Sequence, residues 1–367
     1  MPRQICIIIK PTPECNLRCR HCYHEEWGYS GDTMTFSILE RTMSIILPYF
    51  DRVRFIWHGG EPLLMPLDFF KKAFEIQNKY TTVYNVKVSN NIQTNGTLIN
   101  DDIANFFKEM GMGVGISFDG PCNDFLRQNT LDVLQGTELL NKKGVKYGFI
   151  SVISSGNLDH LIETYDYFKK AGNNVKLNPV FQCGEAVYNK DIFFDYGYYV
   201  EKMKELFSYW IYDKDCNIVV EPFMEYFLML LKNKKNSCAH SSCMFKWLGI
   251  QNDGSIYPCG RSFPQKYSLG NVYDYENINV AFRSDGYAEM LQYGIRRRNE
   301  CRSSCNYFNY CEGGCNSDSL NEDRQPGLSC LSFTSLLEFA RQELHKFMGN
   351  YENLNPYIRK MLIGTAF

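Results

Sequence analysis

The sequence predicts an α/β fold: an incomplete parallel barrel or an open doubly wound sheet, followed by a cysteine-rich second domain. Three observations carry that expectation. Strand-like and helix-like runs alternate through the first half of the chain. Residue groups able to do chemistry fall at the ends of the strand-like runs. After residue 238 cysteine becomes dense, and short turns replace long periodic runs.

The strand-like runs lie at 4–10, 52–57, 85–93, 113–118, 146–152 and 175–180. Helix-like runs separate them at 35–49, 67–79, 100–110, 131–143 and 158–170. Thr35 and Asn100 are placed to cap helix N-termini. Gly111, Gly144 and Gly172 stand where helices commonly end. Repeated strand–helix units imply a parallel sheet with helices outside it. In such folds ligands bind at the C-terminal ends of the strands. Residues 182–235 are aromatic and charged, with helices expected at 196–212 and 222–232, and read as a bridge. The expected divisions are 1–184 for the barrel, 185–237 for the bridge, 238–335 for the cysteine-rich domain and 336–367 for the tail. One amphipathic helix is expected at 333–347.

With 367 residues the chain can bury a large core. Its net charge of -2 gives no reason to expect a nucleic-acid partner. The longest apolar runs are too short to span a bilayer, and the first residues do not read as a signal peptide. A soluble cytoplasmic protein is expected. Fifteen cysteines in a reducing compartment point to metal binding or catalysis rather than disulfides. Cys6, Cys122, Cys183 and Cys216 lie apart and read as buried thiols.

The grouped cysteines are more informative. Cys15, Cys19 and Cys22 form a C-x3-C-x2-C run directly after the first strand. Three thiolates on one loop can hold three irons of a four-iron cluster and leave the fourth open. His58-Gly59-Gly60-Glu61-Pro62 follows the second strand, Gln93-Thr94-Asn95-Gly96 the third, and Ser117-Phe118-Asp119-Gly120-Pro121 the fourth. Farther on come Cys238, Cys243, a G-x4-C run ending at Cys259, then C-x3-C-x5-C-x3-C from Cys301 through Cys305 and Cys311 to Cys315, and Cys330.

This series resembles the radical S-adenosylmethionine (SAM) superfamily, and its distal cysteines resemble the SPASM extension of peptide-modifying members. The resemblance implies a partial (β/α)6 barrel in which the open iron binds SAM, and reductive cleavage yields a 5′-deoxyadenosyl radical. It implies SAM contacts from Gly59, Gly60 and Glu61 near the ammonium, from His21 near the adenine and from Ser117 at the ribose. Arg127 would take the carboxylate bidentately. Gln93 and Asn95 would line the same mouth, and Val180, at the end of the sixth strand, would contact the adenine. It further implies two auxiliary [4Fe–4S] clusters, three in all. Cys238, Cys243, Cys259 and Cys315 would hold the nearer one, and Cys301, Cys305, Cys311 and Cys330 the farther one. Zinc could use the same eight thiolates.

Two enzymatic readings follow. Anaerobic sulfatase maturases, which oxidise Cys or Ser to formylglycine, place an aspartate directly after the G-x4-C cysteine as a base. Here that position is Gly260, followed by Arg261. The missing carboxylate shifts the expectation to a maturase that crosslinks side chains of a ribosomally made precursor peptide. Such an enzyme would need an external electron donor such as flavodoxin or ferredoxin. With the first strand almost at Met1, a separate leader-binding protein is a further expected partner. A non-enzymatic iron–sulfur or zinc protein is the remaining alternative. No catalytic base is assigned.

Overall fold

The structure, a computed structural model, describes residues 4–24, 32–241, 243–261, 263–320, 327–347 and 351–363. The six expected strands form: β1 (Gln4–Ile9), β2 (Arg52–Trp57), β3 (Lys87–Thr94), β4 (Gly113–Ser117), β5 (Tyr147–Ile153) and β6 (Val175–Pro179). Helices Phe36–Ile46, Leu67–Tyr84, Asp101–Glu109, Thr130–Lys143 and Leu161–Ala171 connect them. Every pairing among the six is parallel. Thr35 and Asn100 accept the amides of Ile38 and Ile103, as capping residues do. Helix Leu67–Tyr84 outruns its expected end at 79. It stops where Asn85 turns left-handed at φ 51°, which delays β3 to Lys87.

The sheet is larger than the sequence suggests. β7 (Val220–Glu221) pairs with β6, β8 (Trp247–Ile250) pairs in parallel with β1, and β9 (Ile256–Tyr257) pairs antiparallel with β8. The order is β7-β6-β5-β4-β3-β2-β1-β8-β9, with β7 and β9 at the two edges. The cysteine-rich segment therefore enters the same sheet, next to the strand that leads into the first cysteine triplet. Strands this short offer too few alternations to be read from periodicity.

Side chains alternate across each strand. Ile5, Ile7, Ile9, Val53, Phe55, Trp57, Ile92 and Ile116 are buried, and Trp57 meets Phe69 and Phe70 edge-on from the helix layer. The opposite face is mixed. Register aligns Ile8, Ile56 and Asn91 across β1–β3, Gln93, Gly115 and Gly148 across β3–β5, and Ser117, Ile150 and Lys176 across β4–β6. This open face leads up to the strand ends where the motifs lie.

The bridge helices form as expected, at Tyr196–Tyr212 and Phe223–Lys232. Phe207 stacks on Phe223 at 4.2 Å between centroids and meets Phe339 at 5.6 Å. Phe339 belongs to helix Leu328–Lys346, which starts earlier than expected and carries Cys330 in its first turn. No helix among the described residues is long and apolar enough to cross a membrane. Phe207 joins the bridge and tail helices in one apolar core. Phe207→Ala should therefore cost about 3–5 kcal/mol in urea unfolding. A loss below about 1 kcal/mol would mean that these helices do not share a core.

Candidate active site at the strand ends

The turn after β2 lies directly on the segment that leads into the first cysteines. The Gly60 amide donates to Thr12 O at 3.1 Å, and the Glu61 amide donates to Glu14 O at 2.7 Å. A Cβ on Gly60 would stand 2.0 Å from Glu14 O and 2.4 Å from Pro13 O. Gly59, at φ +125°, has Thr12 O 2.5 Å from its Cβ position. The close approach these glycines permit is thus to another stretch of backbone, not only to a ligand.

Glu61 also departs from expectation. Its carboxylate is fully buried instead of lying open at the mouth. It accepts the Leu63 amide at 2.9 Å, Thr94 Oγ1 at 2.8 Å and the Asn95 amide at 2.7 Å. Burial raises its pKa to about 7, against the pull of those donors. Asn95 carries the link onward: its Nδ2 donates to Asn16 Oδ1 at 2.8 Å and lies 3.9 Å from Cys15 Sγ. Glu61 is a brace between the β2 turn, the end of β3 and the cysteine loop.

Cys15, Cys19 and Cys22 are partly buried free thiols within electrostatic reach of one another. Burial raises all three, Cys19 to about 12, while Arg127 acts in the opposite sense on Cys19 and Cys22. The Leu17 amide points at Cys15 Sγ at 3.4 Å, and the His24 amide points at Cys22. Arg127 is buried and donates through Nε to Asp119 Oδ2 at 2.8 Å, while Asp119 Oδ1 accepts the Val152 amide at 2.7 Å. The turn carrying Arg127 docks on the cysteine loop, since the Arg20 amide donates to Leu126 O at 2.9 Å. His21 keeps a buried Nδ1 without a hydrogen-bond partner, and burial holds it neutral. Gln93 Nε2 donates to Ser117 Oγ at 2.9 Å on the open face. Val180 packs with Leu126, Ala186 and Ile192 in a small apolar cluster.

Lys10, Tyr23 and His24, which the sequence reading did not single out, gather with His58 beside this loop. Lys10 ends the open-face series of β1 after Cys6 and Ile8. Its Nζ is buried without a hydrogen-bond partner, 5.7 Å from the Tyr23 ring centroid. Tyr23 stacks on His24 at 4.7 Å, and its hydroxyl lies 3.4 Å from His58 Nε2. The Gly59 amide donates to His58 Nδ1 at 2.8 Å, which leaves the His58 proton on Nε2. Alternation along β1 was the available signal for Lys10. Its lack of a partner depends on segments far away in sequence.

Two sets of distal cysteines lie within electrostatic reach of one another. Cys238, Cys243, Cys259 and Cys315 interact electrostatically in a chain, as do Cys301, Cys305 and Cys311. Backbone amides point at sulfur here too: Arg261 at Cys259 and Tyr307 at Cys305, both at 3.4 Å. Cys330 is partly buried at its helix start. Arg261 pairs with Asp318 at 2.5 Å and lies 4.9 Å over the Phe181 ring. Gly260 sits against β1, where a Cβ would stand 2.4 Å from Ile8 Cδ1. Among the described residues, no three His, Cys, Asp or Glu side chains converge on a single-ion site. Thiolates of a four-iron cluster bind separate irons and need no common point.

Two outcomes follow from the brace. Gly60→Ala should lower stability by about 1–3 kcal/mol in chemical unfolding, because backbone must shift; an unchanged midpoint would contradict the packing. Glu61 has its folded pKa raised above the ordinary carboxyl value, so its protonation stabilises the fold below about pH 4.5. That stability is lost as pH rises through about 7. The unfolding free energy of the wild type, relative to Glu61→Gln, should fall across this window. A flat difference would mean that Glu61 titrates as in the unfolded chain.

Comparison with known proteins agrees with this geometry. Residues 9–177 match the model of the Radical SAM superfamily. The chain is 28% identical to a cysteine-type anaerobic sulfatase-maturating enzyme of Clostridium perfringens, over 94% of this chain and 98% of that protein. It is also 28% identical to a serine-type enzyme of Bacteroides thetaiotaomicron, over 89% and 86%. The structure of native anSMEcpe with bound AdoMet and Cp18Cys peptide superposes with a TM-score of 0.82 at 27% identity, covering 95% of this chain and 99% of that one. With its cysteine loop, parallel sheet and strand-end motifs in this order, the chain is an enzyme whose residues 9–177 are similar to the radical SAM superfamily.

Proposed function

We propose that the chain is a sulfatase-maturating type of radical SAM enzyme, oxidising a Cys or Ser side chain of a protein or peptide to the formylglycine aldehyde. The observation that carries this reading is the end-to-end likeness, in sequence and fold, to the Clostridium perfringens enzyme, whose structures include peptide-bound forms. The expectation of side-chain crosslinking rested on Gly260. It becomes the second reading, because the full-length relatives favour aldehyde formation. An external electron donor belongs to both readings. A leader-binding partner belongs only to the second.

In this reading Cys15, Cys19 and Cys22 hold the SAM-binding [4Fe–4S] cluster. Free thiols, amides aimed at sulfur and the nearby Arg127 cation suit an anionic thiolate cluster. When bound and reduced, the cluster supplies a carbon-centred radical from SAM that can take a hydrogen atom from substrate. Gly59 and Gly60 set the loop on the sheet, Glu61 holds Asn95 against it, and Arg127, positioned by Asp119, keeps its remaining guanidinium nitrogens for the SAM carboxylate. His21, Gln93, Ser117, Asn95 and Val180 complete the mouth. Cys238, Cys243, Cys259 and Cys315 hold one auxiliary cluster, and Cys301, Cys305, Cys311 and Cys330 hold the other.

Anaerobically reconstituted protein should carry about twelve irons per chain and cleave SAM to 5′-deoxyadenosine under reduction. Joint Ala replacement of Cys15, Cys19 and Cys22 should abolish cleavage and remove about four irons. Loss of all iron would contradict separate sites. With a sulfatase peptide, mass spectrometry should find an aldehyde. A peptide lacking two hydrogens would establish the crosslinking reading instead.

A further inference from the structure

Arg20 stands between the second and third cysteines of the first loop, and two other segments hold it. Its amide donates to Leu126 O at 2.9 Å, in the turn after β4. Its carbonyl accepts from Asn189 Nδ2 at 3.1 Å. Its guanidinium Nη2 donates to both oxygens of Asp191, at 2.7 and 2.6 Å, and the group lies 4.9 Å over the Phe125 ring. Asn189 and Asp191 come from the segment after β6. In the sheet β2, β3, β4 and β5 lie between β6 and β1, yet residues 183–192 return to the loop that follows β1.

The return is built from backbone contacts as well as the ion pair. The Glu185 amide donates to Cys22 O at 2.8 Å. Gly184, at φ +55°, lies so close that a Cβ would stand 2.2 Å from Cys22 O. At the far end the Ser155 amide donates to Ile192 O at 2.9 Å, and Ser155 Oγ donates to Asp191 O at 2.6 Å, which ties the segment to the end of β5. Ala186 and Ile192 turn inward and are fully buried with Val180 and Leu126. The segment thus crosses the mouth as a strap made of two short turns, Gly184–Val187 and Lys190–Ile192.

The cysteine loop is therefore held at both ends by different means. Glu61 and Asn95 hold its first residues, Glu14 to Asn16. The strap holds its last ones, Arg20 to Cys22. We propose that residues 183–192 position Cys19 and Cys22 for the SAM-binding cluster, and that the Arg20–Asp191 pair is the latch of this strap. The latch also steadies Arg127, because the Leu126 carbonyl bound by the Arg20 amide directly precedes it. Arg20 and Asp191 are positioning residues, acting through the cysteine backbone. This rests on the assignment of Cys15, Cys19 and Cys22 to that cluster. Arg20 is 31% and Asp191 66% exposed, so salt screens the pair. Stacking on Phe125 fixes the direction of the guanidinium.

The test uses reconstituted, unreduced enzyme and reads the rate at which a chelator removes iron. Iron of the first loop is identified by difference from the enzyme in which Cys15, Cys19 and Cys22 are Ala. Asp191→Asn and Arg20→Gln should each speed release of that iron about 3- to 5-fold, the size a largely exposed ion pair allows. Auxiliary iron should leave at the wild-type rate. The double variant should be no faster than Arg20→Gln alone. Sodium chloride at about 1 M should bring the wild type to the Asp191→Asn rate and leave that variant unchanged. Gly184→Ala, which pushes the strap off Cys22 O, should speed release by about 10-fold or more. Three results would overturn the proposal: equal release from wild type and Asp191→Asn, an additive double variant, or equal acceleration of the auxiliary iron, which would make the pair a general staple of the fold. If the wild type takes up no iron at the first loop, the cluster assignment fails. Hydrogen exchange then still decides the latch. The amides of Glu185 and of residues 20–22 should exchange faster in Asp191→Asn than in the wild type, and unchanged exchange would overturn it.

Discussion

The contact on which the site depends is the backbone packing of the β2 turn on the segment before Cys15. Two amide hydrogen bonds join them, and the absence of side chains at Gly59 and Gly60 lets them meet at this distance. A cysteine triplet with only local structure would wander. Here it is fixed from below by β1, from one side by Gly60 and Glu61, and from another by Asn95 reaching Asn16. Glu61 makes the fixation cooperative, since one buried carboxylate collects donors from two strand ends. Its partners are backbone and hydroxyl groups rather than a cation, so the brace adds no positive charge beside the cysteines.

Electrostatics divides the site. On the Cys19 and Cys22 side, Arg127 supplies positive charge and Asp119 holds it in place. On the Cys259 side, Arg261, held by Asp318, acts in the same sense on Cys259 and Cys315. Between them lies Lys10, whose buried ammonium faces Cys259 and Cys22 as well as the Tyr23 ring and the neutral His24 and His58. Each cysteine loop thus has one guanidinium held by one aspartate, with Lys10 between the two loops.

Much of this was legible in the sequence because it is local. Six strands and their helices follow from period and caps, and the motifs fall at strand ends because a parallel sheet puts every βα turn on one side. The inward turn of Glu61 was not legible, for it is decided by Thr94 and Asn95 on another strand. β8 was missed because four residues give no period, and with it went the entry of the cysteine-rich segment into the sheet beside β1. Gly260 was read as a lost carboxylate. The structure gives it a steric reason, the Ile8 side chain beneath it. Lys10 could be assigned to the open face by alternation, but its burial between the cysteine loop, the β2 turn and the Cys259 turn is decided by segments distant in sequence.

In the proposed reaction a radical formed at the Cys15–Cys22 loop takes a hydrogen from the Cβ of a substrate side chain and leaves an aldehyde. The most direct measurement is the fate of deuterium from a sulfatase peptide whose single cysteine is deuterated at Cβ. The account predicts deuterium in the 5′-deoxyadenosine and an aldehyde in the peptide, in equal amounts. Unlabelled 5′-deoxyadenosine, or a labelled peptide that ends up crosslinked, would contradict it.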